Sequence, residues 1–134
     1  MDMLRSMPVL QVRDLGASCA YYNRLGFQTN GIWGDPAGFA ILQRGKITLA
    51  LERTETPPDT SASWSAYLYV ADVDALFDEF QKAGATIHRA PMDRFYGCRD
   101  FETTDPDGHR LCFGQDMQPT HGPGLAAKEA SDDS

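Results

Sequence analysis

The sequence predicts an α+β fold built from paired βαβββ modules, with curved mixed sheets around a cleft. Three observations carry this expectation. First, LQVRDLGASCAYYNRLGF (Leu10 to Phe27) aligns without gaps with LYVADVDALFDEFQKAGA (Leu68 to Ala85). Leu10/Leu68, Val12/Val70, Asp14/Asp72 and Gly26/Gly84 match, and Tyr22/Phe80 agree in type. A long repeat present twice indicates two equivalent modules rather than a solenoid. Second, each copy closes in corresponding strand positions, Leu49/Leu111 and Leu51/Phe113. Third, Phe95 to Gln115 holds two runs of period two around Asp105-Pro106-Asp107-Gly108, a β-hairpin with one buried face.

The elements follow in order. Val9 to Val12 reads as a short strand, with Pro8 where a first strand residue tolerates a missing N–H. Asp14 to Gly26 places Leu15, Cys19, Tyr22 and Leu25 near helical spacing, with Gly26 as the stop. Phe39 to Leu42 and Ile47 to Leu51 flank Gln43-Arg44-Gly45-Lys46 as a hairpin. Glu52 to Ser63 is polar, carries Pro57-Pro58 and reads as a linker. The second helix uses Val73, Leu76, Phe77 and Phe80 to cover its sheet. Residues 1–116 therefore form one domain, with module one over about 7–56 and module two over about 64–116. The small, acidic, Gly/Pro-rich stretch 117–134 reads as a disordered tail.

Composition excludes several classes. A chain of 134 residues with 42% hydrophobic and 23% charged residues suits one soluble domain with a real core. No apolar run reaches the roughly 20 residues that span a bilayer, and residues 1–7 hold no secretory core, so no membrane partner is expected. Cys19, Cys98 and Cys112 are odd in number and lack metal spacing, which points to a reducing cytoplasm. A net charge of −7 argues against nucleic acid.

Period two assigns sides. If Leu10, Val12, Leu49, Leu51, Leu68, Val70, Leu111 and Phe113 face the helices, then Gln11, Glu52, Tyr67, Tyr69, Arg110 and Cys112 face the cleft. Tyr, Phe and Trp with a few charges suit a flat, partly cationic small molecule. No Ser-His-Asp or Cys-His arrangement appears, so no catalytic residue is assigned. Asp105 and Asp107 are read as turn residues, and His88, His109 and His121 as solvated. Arg99 is open between pairing with Asp100 or Glu102 and holding the last hairpin to the first.

The paired modules, the Leu25-Gly26-Phe27 helix end, Ile41-Leu42-Gln43-Arg44-Gly45 and the DPDG turn together resemble the vicinal oxygen chelate superfamily of glyoxalases, bleomycin-resistance proteins and dioxygenases. Pro8-Val9-Leu10 with Arg13-Asp14, and Tyr96-Gly97 followed by Arg99 and Phe101, resemble the bleomycin-binding members most. The resemblance spans about residues 7–116 and implies a homodimer with clefts between subunits and a first strand exchanged about Pro8. It adds Phe39 and Ile41 to the cleft, with Trp33 on the preceding loop, Tyr96 and Arg99 beside it, and Asp59 as an acidic rim position. Phe39 and Tyr69 serve equally well as core or dimer packing. Glu52, Glu55 and Asp59 are either a solvated acidic loop or a rim that attracts a cation.

Metal-dependent members carry ligands at four positions that fall here on Met7, Ala50, Ser65 and Cys112, which are not a set for a divalent ion. No metal and no cofactor is therefore expected. The leading function is metal-free sequestration of an aromatic, cationic, bleomycin-like molecule. The alternatives are a lyase or dioxygenase with unusual ligands such as Glu52 and Cys112, and a sensor or scaffold domain.

Overall fold

The computed structural model describes residues 1–56, 59–60 and 63–117. The Pro57-Pro58 part of the linker, His121 and the tail from residue 118 onward lie outside the described residues. The chain runs β1 (Val9–Val12), α1 (Leu15–Arg24), β2 (Gln28–Gly34), β3 (Ala37–Arg44), β4 (Ile47–Arg53), β5 (Ala66–Tyr69), α2 (Val73–Lys82), β6 (Thr86–Asp93), β7 (Cys98–Thr104) and β8 (Arg110–Asp116).

Each module folds in the same way. The first sheet has the order β1-β4-β3-β2 and the second β5-β8-β7-β6. In both, the first strand pairs parallel with the last, and the remaining pairs are antiparallel. The repeated Asp explains why both helices begin where they do. Asp14 accepts from the Ala17 N–H at 3.0 Å, and Asp72 from the Ala75 N–H at 3.1 Å, each satisfying an orphan donor of the first turn. Gly26 and Gly84 follow the helices with φ of 87° and 83°, a region in which a Cβ is strained. No helix among the described residues is long and apolar enough to cross a membrane.

The helix-facing residues predicted by alternation form one core shared by both modules. Leu10, Val12, Leu49, Leu51, Leu68, Leu111 and Phe113 are buried in it with Tyr22 and Phe80, and Val70 packs against it. Phe101 stacks on Phe113 at 5.4 Å and meets Phe77 and Phe80 edge-on at 5.3 and 5.9 Å.

The DPDG turn does more than reverse the chain. Asp105 is buried, accepts from the Tyr22 hydroxyl at 2.8 Å and also from the Asp107 and His109 N–H groups. Asp107 accepts from the Arg13 N–H and the Ser18 hydroxyl, so the turn of module two docks on α1 of module one. His109 is not solvated on a rim, as the sequence suggested. It is 6% exposed and lies between Gln11 and Ser65. The Gln11 carbonyl, 2.7 Å from Nε2, accepts only, so Nε2 donates to it, while Nδ1 and the Ser65 hydroxyl share a hydrogen bond at 2.9 Å. His88 is exposed, as expected, and its Nε2 accepts from Arg110.

Candidate functional site

Each sheet turns one face to its helix and leaves the other open. On the first sheet the register aligns Trp33, Phe39, Glu52 and Gln11 in one cross-strand row, and Gly31, Ile41, Ala50 and Val9 in the next. Residues opposite one another share a face, so these rows form a single surface. Trp33 lies on β2, not on a loop, and its ring leans over Gly31. A Cβ at Gly31 would stand 2.4 Å from the indole, so the glycine makes room for it. Trp33 and Phe39 rings lie 6.1 Å apart, with Trp33 half exposed. Glu52 is exposed beside them and has no ion pair among the described residues.

On the second sheet, Tyr67, Cys112 and Glu102 form one open-face row, and Tyr69, Gly114 and Asp100 the next. Four rings make an aromatic wall on this face. Tyr67 stands 5.0 Å from Trp64, 5.1 Å from Tyr69 and 6.1 Å from Tyr96.

Beneath the wall lies a charged cluster that the sequence reading missed. Asp100 is fully buried and accepts from the Tyr67 hydroxyl at 2.9 Å and from the Tyr96 hydroxyl. Glu102 accepts from the Trp64 indole N–H at 3.0 Å. Arg89 bridges the two carboxylates, Arg94 adds a contact to Asp100 at 3.2 Å, and Arg110 lies 3.7 Å from Glu102. Burial by itself would raise both acids. Hydrogen bonds from Tyr96, Arg89 and Tyr67 reverse this for Asp100, and those from Trp64 and Arg89 do so for Glu102, leaving both below the usual carboxylate range. Burial first, then the bonded Cys98 and Asp100 for Tyr67 and the bonded Asp100 for Tyr96, push both phenols well above theirs, so both stay neutral donors.

One predicted cleft residue sits elsewhere, and another is on the predicted side but closed to solvent. Arg99 belongs to the α2 side, where it pairs with Asp74 at 3.1 Å and Asp93 at 3.2 Å, neither of the alternatives read from sequence. Cys112 is on the open side but has no exposed surface, and burial raises its thiol. The structure thus brings together Tyr67, Tyr69 and Tyr96 on one sheet and Trp33, Phe39, Ile41 and Glu52 on the other. Asp59 lies exposed on the connection between modules. Pro8 precedes β1, which pairs with β4 of its own chain, and the Pro8 carbonyl accepts from the Ala50 N–H at 2.9 Å.

The positions that carry metal in the enzymes do not fit an ion. Ala50 has no donor atom, the Ser65 hydroxyl is engaged by His109, and the Cys112 thiol is buried and held protonated. Among the described residues no three His, Cys, Asp or Glu side chains cluster as a ligand set.

Two linked βαβββ modules, each with an open aromatic sheet face, define a paired-module α+β fold. The chain belongs to the Glyoxalase/Bleomycin resistance protein/Dioxygenase superfamily, whose model matches residues 6–113. Among solved structures it is similar to the bleomycin resistance determinant encoded on transposon Tn5, at 28% identity and TM-score 0.73 over 85% of this chain and 98% of that one. A bleomycin-binding protein complexed with bleomycin is 26% identical, with TM-score 0.74 over 84% and 98%. The bleomycin-binding protein from bleomycin-producing Streptomyces verticillus, complexed with copper(II)-bleomycin, is 30% identical, with TM-score 0.71 over 84% and 96%. No curated protein sequence matches the chain.

Proposed function

We propose that this chain is a bleomycin-resistance-like binding protein that sequesters a planar, cationic aromatic molecule, without chemistry, in metal-free clefts between two subunits. One observation carries the reading: the aromatic residues are divided between two open faces on separate sheets. Trp33 and Phe39 contact each other, and Trp64, Tyr67, Tyr69 and Tyr96 contact one another, with no ring contact between the sets among the described residues. A planar ligand gains most when both of its faces are covered, which a second copy achieves by laying one sheet opposite the other. Val9, Trp33 and Tyr69, each more than half exposed, are the apolar surface such pairing would cover. Glu52, next to Trp33 and Phe39, supplies the negative charge, and the similarity to bleomycin-binding structures names the ligand type to try first.

Metal-free bleomycin, titrated by tryptophan fluorescence, tests the proposal. Affinity is expected to fall as salt rises. Trp33→Ala should weaken binding by about 1–3 kcal/mol, mainly through the off-rate. Asp59→Asn should cost roughly 1 kcal/mol or less and slow association at low salt. Binding that ignores both salt and Trp33→Ala would place the ligand elsewhere. Sedimentation gives the second arm: a species of 14.8 kDa that binds as a monomer would remove the shared cleft. A stoichiometric metal retained through purification would favour an enzyme instead.

A further inference from the structure

We propose that Asp100, Glu102 and Arg89 are positioning residues that fix Trp64, Tyr67 and Tyr96 as a stacking wall formed before any ligand arrives. The wall presents ring faces to the ligand and keeps its polar edges for the protein. This rests on the reading above, that the open face of the second sheet takes a flat molecule.

The polar atoms of the three rings are already committed. The Tyr67 and Tyr96 hydroxyls both donate to Asp100 Oδ2, and the Trp64 N–H donates to Glu102 Oε2. Arg89 is committed as well. Its Nε donates to Glu102, its Nη1 to the Asp100 and Ala90 carbonyls, and its Nη2 to both carboxylates. Arg89 thus offers a ligand no free fork and acts only through the acids it holds. Charge-assisted bonds of this kind are the strong ones, and here their acceptors are nearly closed to solvent, Asp100 with no exposed side-chain surface and Glu102 with 9%.

Gly114 completes the arrangement. Tyr67 crosses over it to reach Asp100, and a Cβ at this position would stand 2.0 Å from the Tyr67 hydroxyl oxygen. The glycine is therefore required by the ring that passes above it. Its backbone is not in the left-handed region, so conformational freedom does not explain it.

A ring locked in the free protein loses little entropy on binding, so the wall contributes its stacking energy undiminished. With the hydroxyl and indole donors occupied, recognition depends on the outline and charge of the ligand ring, not on the donor pattern at its edge. The ligand class is a planar ring system, bound with tolerance of its heteroatoms.

Two variants test this with metal-free bleomycin as the probe. Tyr67→Phe/Tyr96→Phe keeps both rings and removes both tethers. Gly114→Ala keeps every ring and every hydroxyl and displaces Tyr67. Both are expected to raise Kd by about tenfold or more, as the loss of hydrogen bonds to a charged acceptor predicts. Both should also weaken the near-UV circular dichroism of the ligand-free protein while the far-UV spectrum holds. Unchanged near-UV spectra would overturn the proposal. So would tighter binding by Gly114→Ala, because the ligand would then be using the released hydroxyl. If the wild type binds no bleomycin, the sequestration reading fails, and the ligand-free spectra still decide whether the network fixes the rings. Should the double variant not fold, Tyr67→Phe alone is read in the same way.

Discussion

Arg89→Met is expected to destabilise the protein by about 3–5 kcal/mol at pH 7, because it strands two buried carboxylates without their shared counter-ion. Asp100 has no exposed side-chain surface and Glu102 only 9%, so water cannot take over the role of the guanidinium. Arg94 remains near Asp100, and Arg110 near Glu102, which keeps the loss within that range. The pH dependence follows from the direction of the shifts. In the wild type both carboxyls sit below their unfolded values of about 4, so their stabilisation is present above that pH and is lost as pH falls through the folded values. In the variant the Arg89 bonds are gone while those from Tyr96 and Tyr67 to Asp100 and from Trp64 to Glu102 remain, so both carboxyls are depressed less and acid removes less stability from the variant than from the wild type. Asp105 is shifted upward by burial, but it is common to both proteins and cancels in the difference. Urea unfolding at pH 7, 5 and 4 should therefore show the two stabilities converging on acidification. A constant gap would mean that Arg89 contributes packing and not charge.

How much of this was legible depends on the range of the signal. The modules, the two capping aspartates and the side of each strand that meets its helix all follow from local spacing, and the core matches them from Leu10 to Phe113. The open-face positions of Tyr67 and Tyr69 follow from the same alternation. Arg99 was legible too, because alternation from the helix-facing Phe101 places it on the helix side; the resemblance drew it into the cleft instead. The charged cluster was hidden for a physical reason. Arg89 lies between two register irregularities of β6, at Ile87/Arg89 and Arg89/Met92, and each breaks the parity by which alternation assigns a face. Gly114 looks like any strand glycine until the ring crossing it is known. The burial of His109 depends on Gln11 and Ser65, which are remote in sequence, and no local pattern encodes that contact.

Asp105→Ala is expected to cost about 3–5 kcal/mol, the second large effect, because one side chain satisfies three donors in a closed site. The Tyr22 hydroxyl is fully buried and would lose its acceptor. The His109 N–H at 2.8 Å and the Asp107 N–H at 3.0 Å would lose theirs in the same step. The damage would spread between modules, since the same turn positions Asp107 on Arg13 and Ser18, and His109 on Gln11. Asp105→Asn separates hydrogen bonding from charge. Its carbonyl keeps both N–H groups, and the Tyr22 hydroxyl turns to accept from the new amide, so the loss should be about 1 kcal/mol or less. Burial raises the Asp105 carboxyl, against the pull of Tyr22 and His109. An acid raised in the folded state contributes its stability below the unfolded value and loses it as pH climbs through the folded one. The Asn variant has no such titration, so its deficit against the wild type should shrink between pH 4 and pH 7. Thermal unfolding of the three proteins across that window checks the ranking. If the Ala variant melts with the wild type, the carboxylate is not what holds the turn on α1, and the two open faces are kept in relative position by the shared apolar core alone.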